Sequence, residues 1–148
     1  MSETHAGNRV VVTHSPEETL QLGALLAADL PLGLVVAIDG PLGSGKTVLV
    51  RGMVSGLGGD DALVGSPTFG LAHEYPIGRE ARLVHVDCYR IGGESDLESI
   101  GWSGFAGAPD TITVVEWAGR IASSLPAECL WIRAGHCGET CREYEIAP

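Results

Sequence analysis

Along this 148-residue chain, short runs of β-branched and apolar residues alternate with stretches whose apolar positions recur at helical spacing. Residues 9–13 and 34–38 read as strands, and the continuous hydrophobicity of the second marks a strand buried on both faces. Between them, Ser15-Pro16-Glu17-Glu18 reads as a capping box with Pro at the first helical position. Leu22, Leu25 and Leu26 are the expected buried stripe of the helix it opens. After the second strand, Leu49, Val50, Met53, Val54 and Leu57 share one helical face, and Gly58-Gly59 stops that helix. Farther on, strand patterns occupy 71–75 and 83–87, joined through a hairpin-like break at Pro76-Ile77-Gly78. Others cover 111–116, 129–134 and 142–146, with a turn over 135–140. Short helices are expected over 94–100 and 118–125, a polar crossing over 58–65 and a loop over 101–110. No repeat, linker or low-complexity tract breaks this order, so a single domain over 1–148 is expected.

The junction of the second strand and second helix carries the chemistry. Gly40-Pro41-Leu42-Gly43-Ser44-Gly45-Lys46-Thr47 is a complete P-loop, placed between strand and helix as a phosphate cradle requires. Its glycines let backbone N–H groups turn inward where free donors and the positive end of the helix dipole favour an anion. Gly40, Leu42, Gly43, Ser44, Gly45, Lys46 and Thr47 are the expected nucleotide-binding residues. Lys46 reaches the β- and γ-phosphates in this reading, and the Thr47 hydroxyl ligates Mg²⁺. Lys46 is also the only lysine among nine Lys and Arg residues, a compact ammonium in a chain that otherwise uses arginine. The fold class that follows is α/β: a three-layer P-loop NTPase fold with a mainly parallel central sheet and antiparallel strands at its edges.

Charge narrows the function. With 19 Asp and Glu against 9 Lys and Arg, the net charge is −10, the opposite of a nucleic-acid footprint, so unaided RNA or DNA binding is not expected. No apolar stretch approaches a membrane span and the N-terminus lacks signal-peptide order, so a cytoplasmic protein is expected. Of the four cysteines, Cys88 and Cys129 fall in expected strands. Cys137-x-x-x-Cys141 beside His136 is open to zinc or a disulfide, but reduced thiols on a cytosolic hairpin explain it equally well and are the expected state.

Hydrolysis needs more than a cradle: a completed metal site, a sensor of the γ-phosphate and a positioned water. Strand alternation puts His85 and Asp87 on one face, and Asp87 at the strand end suits a Walker-B-like carboxylate on Mg²⁺, or alternatively a solvated acid capping a turn. His85 is expected as a supporting hydrogen-bonding group, since Mg²⁺ prefers oxygen. Glu116 ends the 111–116 strand at the edge where open α/β sheets bind ligands, placed for metal or water, or else as an acid favouring a helix N-terminus. Trp117 is open between core packing and contact with nucleotide or partner. Thr68, in Ser66-Pro67-Thr68-Phe69, holds the topological place of a switch residue, although Pro67-Thr68 alone is just a turn.

The P-loop, then Ser66-Pro67-Thr68-Phe69, then His85-x-Asp87-x-Tyr89-Arg90, then Glu116-Trp117, in this order and in a chain this short, closely resembles the TsaE family, also called YjeE. The resemblance implies a small bacterial P-loop ATPase that hydrolyses ATP with Mg²⁺ to support threonylcarbamoyl-adenosine modification of tRNA. It implies TsaD and TsaB proteins as partners, with tRNA reached only through them; neither DNA nor a membrane is an expected partner, on the charge and hydropathy above. By the same likeness Lys46 binds phosphate, Thr47 and Glu116 serve Mg²⁺, and Asp87 and Thr68 complete the metal and switch region. The start of the first helix and the hairpin near Gly138 would border the nucleotide. Val48 stands where the family commonly has a second threonine and Pro41 where it has an acidic residue; neither touches the phosphate-binding consensus.

Two other functions use the same cradle. A small-molecule kinase needs an arginine-bearing lid, and the eight arginines here are scattered. A nucleotide-dependent switch with little hydrolysis is the second; its guanine-specific form carries Asn-Lys-x-Asp, absent from a chain whose only Asn is Asn8. Adenine is therefore the expected base.

Overall fold

Among the described residues, the β-branched runs become seven strands and the amphipathic runs two long helices. A computed structural model describes residues 8–64 and 72–147. Its elements are β1 (Arg9–Thr13), α1 (Pro16–Ala28), β2 (Val35–Asp39), α2 (Lys46–Gly56), β3 (Ala72–Ile77), β4 (Ala81–Asp87), α3 (Trp102–Phe105), β5 (Thr111–Glu116), β6 (Leu130–His136) and β7 (Arg142–Ala147). One sheet runs β1-β7-β6-β2-β5-β4-β3. Its centre is parallel, β2 pairing β5 and β6 and β4 pairing β5, while β1, β7 and β3 join antiparallel at the flanks. This is the α/β architecture expected from the sequence.

Alternation along the central strands gives the sheet two apolar faces. Val36, Ile38, Leu83, Ile112, Val114 and Ile132 face Leu49, Val50 and Met53 of α2 in one core. Val35, Ala37, Val84, Val86 and Val115 face Trp102, Phe105 and Ile121 in the other. The P-loop helix thus packs on one face and the short helical segments on the opposite one. Among the described residues, no helix is long and apolar enough to cross a membrane.

Ser15 caps α1 by accepting the Glu18 N–H at 3.1 Å, and the Glu18 carboxylate reciprocates to the His14 N–H at 2.7 Å, one residue earlier than a strict capping box. The stripe of α1 differs from expectation. Thr19, Leu22, Gly23 and Ala27 are buried, Leu26 is half-buried, and Leu25 is 74% exposed. The cause is the close α1–α2 crossing, which selects small residues: Gly23 lies against the Leu49 carbonyl, Gly52 against the Leu20 carbonyl and Gly56 against Ala24. A Cβ at Gly52 would overlap backbone, which cannot rotate away. Gly52→Ala is expected to destabilise the fold by about 1–3 kcal/mol, read as a lower urea midpoint at unchanged slope.

Other boundaries shift for local reasons. Pro76 and Ile77 belong to β3, and the turn falls at 78–80, with Arg79 and Glu80 at positive φ. Pro76 is tolerated because β3 is an edge strand. Residues 94–100 form two 3₁₀ turns, Glu94–Asp96 and Glu98–Ile100, rather than one helix, and the expected 101–110 loop contains α3. A 3₁₀ turn, Asp61–Leu63, lies in the 58–65 crossing. Ala118–Ser124 is 3₁₀ with a break at Ile121. Cys88 and Cys129 sit just outside the strands, both buried.

Candidate nucleotide-binding site

The parallel register brings Ile38 of β2 beside Glu116 of β5, and Glu116 beside Asp87 of β4, so the P-loop and both acidic residues share the C-terminal edge of the sheet. A cavity of ≈ 730 Å³ opens there, bordered by the start of α1, the P-loop, the ends of β4 and β5, and the β6–β7 hairpin. Of the expected cradle residues, Leu42, Gly43, Gly45, Lys46 and Thr47 line it. Gly40 and Ser44 do not; the Gly40 carbonyl accepts from Lys46 and Ser44 is fully buried.

The loop's shape depends on backbone that only glycine adopts easily: Gly43 has φ 75° and Gly45, the N-cap of α2, φ 94°. A Cβ on Gly45 would also overlap the Tyr144 hydroxyl, which sits 3.4 Å from the Ser44 and Gly45 carbonyls. The N-cap Gly45 has no side chain to cap α2, so among the described residues the first N–H groups of the helix are open to a ligand.

Lys46 is 5% exposed and donates to the Gly40 and Pro41 carbonyls at 2.7 and 2.8 Å. The Trp117 ring lies 4.2 Å from its ammonium, a cation–π contact. Burial pushes the Lys46 pKa below the ordinary lysine value, opposed by the negative charges of Glu116, Asp39 and Asp87. The sign for stability follows: between the lowered folded pKa and 10.5 the unfolded chain holds the extra proton, so this group makes stability rise with pH there. Urea unfolding across that alkaline window should show this rising contribution, and Lys46→Met should lose it.

Glu116 is 4% exposed, and a buried carboxylate needs partners. It accepts from the Thr47 hydroxyl at 3.1 and 3.3 Å and shares a 2.6 Å hydrogen bond with His85 Nε2, the supporting role expected of that histidine. Asp87 is exposed, lines the cavity, and accepts the Tyr89 N–H at 2.9 Å, so it caps a turn while facing the site. Thr47, Glu116 and Asp87 form an all-oxygen donor set, which suits Mg²⁺. Among the described residues no three His, Cys, Asp or Glu converge on one point. Thr68 and the rest of 66–69 lie outside the described residues.

The family model described as threonylcarbamoyl adenosine biosynthesis protein TsaE matches residues 13–144. The chain belongs to the TsaE family. A tRNA threonylcarbamoyladenosine biosynthesis protein TsaE of Nostoc sp. is 38% identical over 135 residues, covering 89% of this chain and 81% of the relative. The TsaE of Streptomyces coelicolor is 39% identical over 126 residues, 83% of each chain. A crystal structure of Bacillus YdiB superposes with a TM-score of 0.76 at 30% identity, over 95% of this chain and 86% of that one.

Within this TsaE site, several side chains were not singled out by sequence. Tyr144 braces the P-loop from below, in a buried hydroxyl cluster with Thr19 and Thr13. Its signal was alternation in β7, where Tyr144 and Ile146 face inward. His136 and Arg142 reach the P-loop carbonyls of Leu42 and Gly43 across long sequence separations that no local pattern reveals. Trp117, which the sequence does single out but leaves open between core packing and contact, adopts φ 58° immediately after Glu116, which turns its ring over Lys46 and to 4.8 Å from the Tyr89 ring. One cysteine expectation is corrected: Cys137 and Cys141 are disulfide-bonded rather than reduced. Hairpin pairing explains it, because the Cys137 N–H to Cys141 carbonyl bond holds the Cα atoms 5.0 Å apart, within disulfide range.

Proposed function

We propose that this chain is an ATPase that binds ATP with Mg²⁺ and hydrolyses it to support threonylcarbamoyladenosine formation on tRNA, working in the cytoplasm with TsaD and TsaB. The observation that carries this reading is the single cavity shared by Lys46, the uncapped start of α2 and the Thr47–Glu116 pair. Lys46 and the P-loop amides bind the phosphates. Thr47, Glu116 and Asp87 would hold Mg²⁺, which would neutralise charge on the phosphate oxygens. His85 Nε2 fixes the Glu116 carboxylate through Oε2, the oxygen that also accepts the shorter of the two Thr47 contacts. Trp117 and the buried walls exclude water from the ammonium, which strengthens its interaction with phosphate.

The net charge of −10 supports reaching tRNA through partner proteins. The test is an ATPase assay with and without TsaD and TsaB, followed by nucleoside analysis of the tRNA. ATP turnover with modified nucleoside accumulating only in the complete mixture is expected. Phosphate transferred to a small acceptor would instead identify a kinase, and tight salt-sensitive tRNA binding by the isolated chain would remove the indirect route.

A further inference from the structure

Two of the four cysteines are closed to chemistry. Cys88 and Cys129 are buried, and burial pushes their thiols up to about 12 and about 11. Because thiolate is the reactive form, thiol chemistry in the folded chain is confined to Cys137, which is exposed, and Cys141, which is half-buried. These two are bonded to each other at the tip of the β6–β7 hairpin.

The bond sits where the hairpin meets the P-loop. The last register pair of β6 and β7 is His136 with Arg142, the two residues flanking the 137–141 loop. Both side chains leave the hairpin for the P-loop. His136 Nε2 meets the Leu42 carbonyl at 3.2 Å, and Arg142 Nε donates to the Gly43 carbonyl at 2.9 Å. Arg142 Nη1 also donates to the carbonyls of Gly138, Glu139 and Cys141 at 3.3, 3.2 and 2.9 Å. One guanidinium therefore ties the loop enclosed by the disulfide to the phosphate cradle. Glu139 and Thr140, inside that enclosed loop, line the cavity themselves.

We propose that Cys137 and Cys141 are a redox modification site for low-molecular-weight thiols and disulfides, and that the closed hairpin, acting through Arg142, preorganises the P-loop for nucleotide. The coupling rests on the nucleotide reading given above. In oxidation, one cysteine thiolate attacks a disulfide RSSR, forming a mixed disulfide while RS⁻ leaves and takes a proton from solvent. The other cysteine thiolate then attacks the protein sulfur, closing the 137–141 bond and expelling the second RS⁻. Two cysteine thiols give up two electrons and two protons, and RSSR becomes two RSH. A dithiol reverses this and is itself oxidised to its cyclic disulfide. Reduction restores loop freedom at the cavity wall, and ordering that loop then opposes binding.

The experiment equilibrates the full chain with oxidised glutathione or with dithiothreitol, maps the bond by peptide mass analysis, and titrates ATP with Mg²⁺ calorimetrically in each state. The 137–141 bond is expected in the first buffer alone, with Cys88 and Cys129 unmodified. Reduction should weaken ATP binding roughly three- to tenfold, an effect of lost preorganisation. The Cys137→Ser/Cys141→Ser double variant should bind as the reduced chain does and ignore dithiothreitol. Arg142→Ala should still form the bond but show one affinity in both buffers. Failure of the bond to form, equal affinity in the two states of the unaltered chain, or a double variant that still responds would overturn the inference while leaving the ATPase reading intact. No ATP binding in either state would remove that reading and the coupling with it.

Discussion

Lys46→Ala is expected to raise the dissociation constant for ATP with Mg²⁺ by at least about 100-fold, roughly 3 kcal/mol. The ammonium is the single lysine of the chain and is buried against the Gly40 and Pro41 carbonyls, whereas Arg142, the other cation on the P-loop, is half-buried and already engaged by the carbonyls of Gly43, Gly138, Glu139 and Cys141. Charge-assisted contacts with phosphate in a site that excludes water are among the strong ones. The loss should not come from unfolding. Burial works against the charged form of Lys46, so removing the ammonium relieves its desolvation, and this offsets the attraction to Glu116, Asp39 and Asp87 that is lost with it. Urea unfolding of the variant checks this directly. Lys46→Arg should rescue little, because a planar fork does not fit a pocket shaped around a compact ammonium. Near-normal affinity in Lys46→Ala would show that the backbone amides alone hold the nucleotide.

Glu116→Ala is expected to separate binding from turnover. Affinity for ATP should stay within about tenfold of the unaltered chain, since the cradle is intact, whereas hydrolysis should fall about 10²- to 10³-fold, the usual scale for losing a preorganised electrostatic group. The variant frees the Thr47 hydroxyl and leaves His85 without its 2.6 Å partner. Glu116→Gln distinguishes shape from charge: it keeps an acceptor for Thr47 but removes the anion. Hydrolysis lost in both variants assigns the role to the carboxylate charge, while activity surviving in Glu116→Gln would reduce it to a positioning hydrogen bond. Steady-state phosphate release and nucleotide titration on the same preparations provide both readings.

How far these residues could be read from the sequence depended on the range of the physics involved. The P-loop, its strand and its helix were legible because their signals are local: a continuous apolar run, glycines at fixed offsets, and a 3.6-residue stripe. Glu116 and Asp87 were legible as strand ends, and parallel pairing then brought them together. Apolar spacing alone puts Leu25 in the buried stripe, because it does not show that Gly23 and Gly52 set the rotation of α1 through close backbone approach. The short helical segments at 94–105 are blurred because two 3₁₀ turns and a four-residue α-helix carry little periodicity. Contacts from the hairpin to the P-loop were invisible for a different reason. Arg142 and Gly43 meet only after β7 has added to β6 and β6 to β2, so nothing between them in sequence encodes the bond. Compartment argues for reduced thiols at Cys137 and Cys141, but the hairpin pairing sets the Cα separation at which their bond closes.

Isothermal titration of the unaltered chain with ATP, run with and without Mg²⁺, bears most directly on Lys46 and its neighbouring amides as the grip on a triphosphate. Saturable heat at one nucleotide per chain, with affinity that tightens when Mg²⁺ is present, is the outcome expected. The absence of heat under both conditions, and again after adding TsaD and TsaB, would mean that this cavity does not hold ATP.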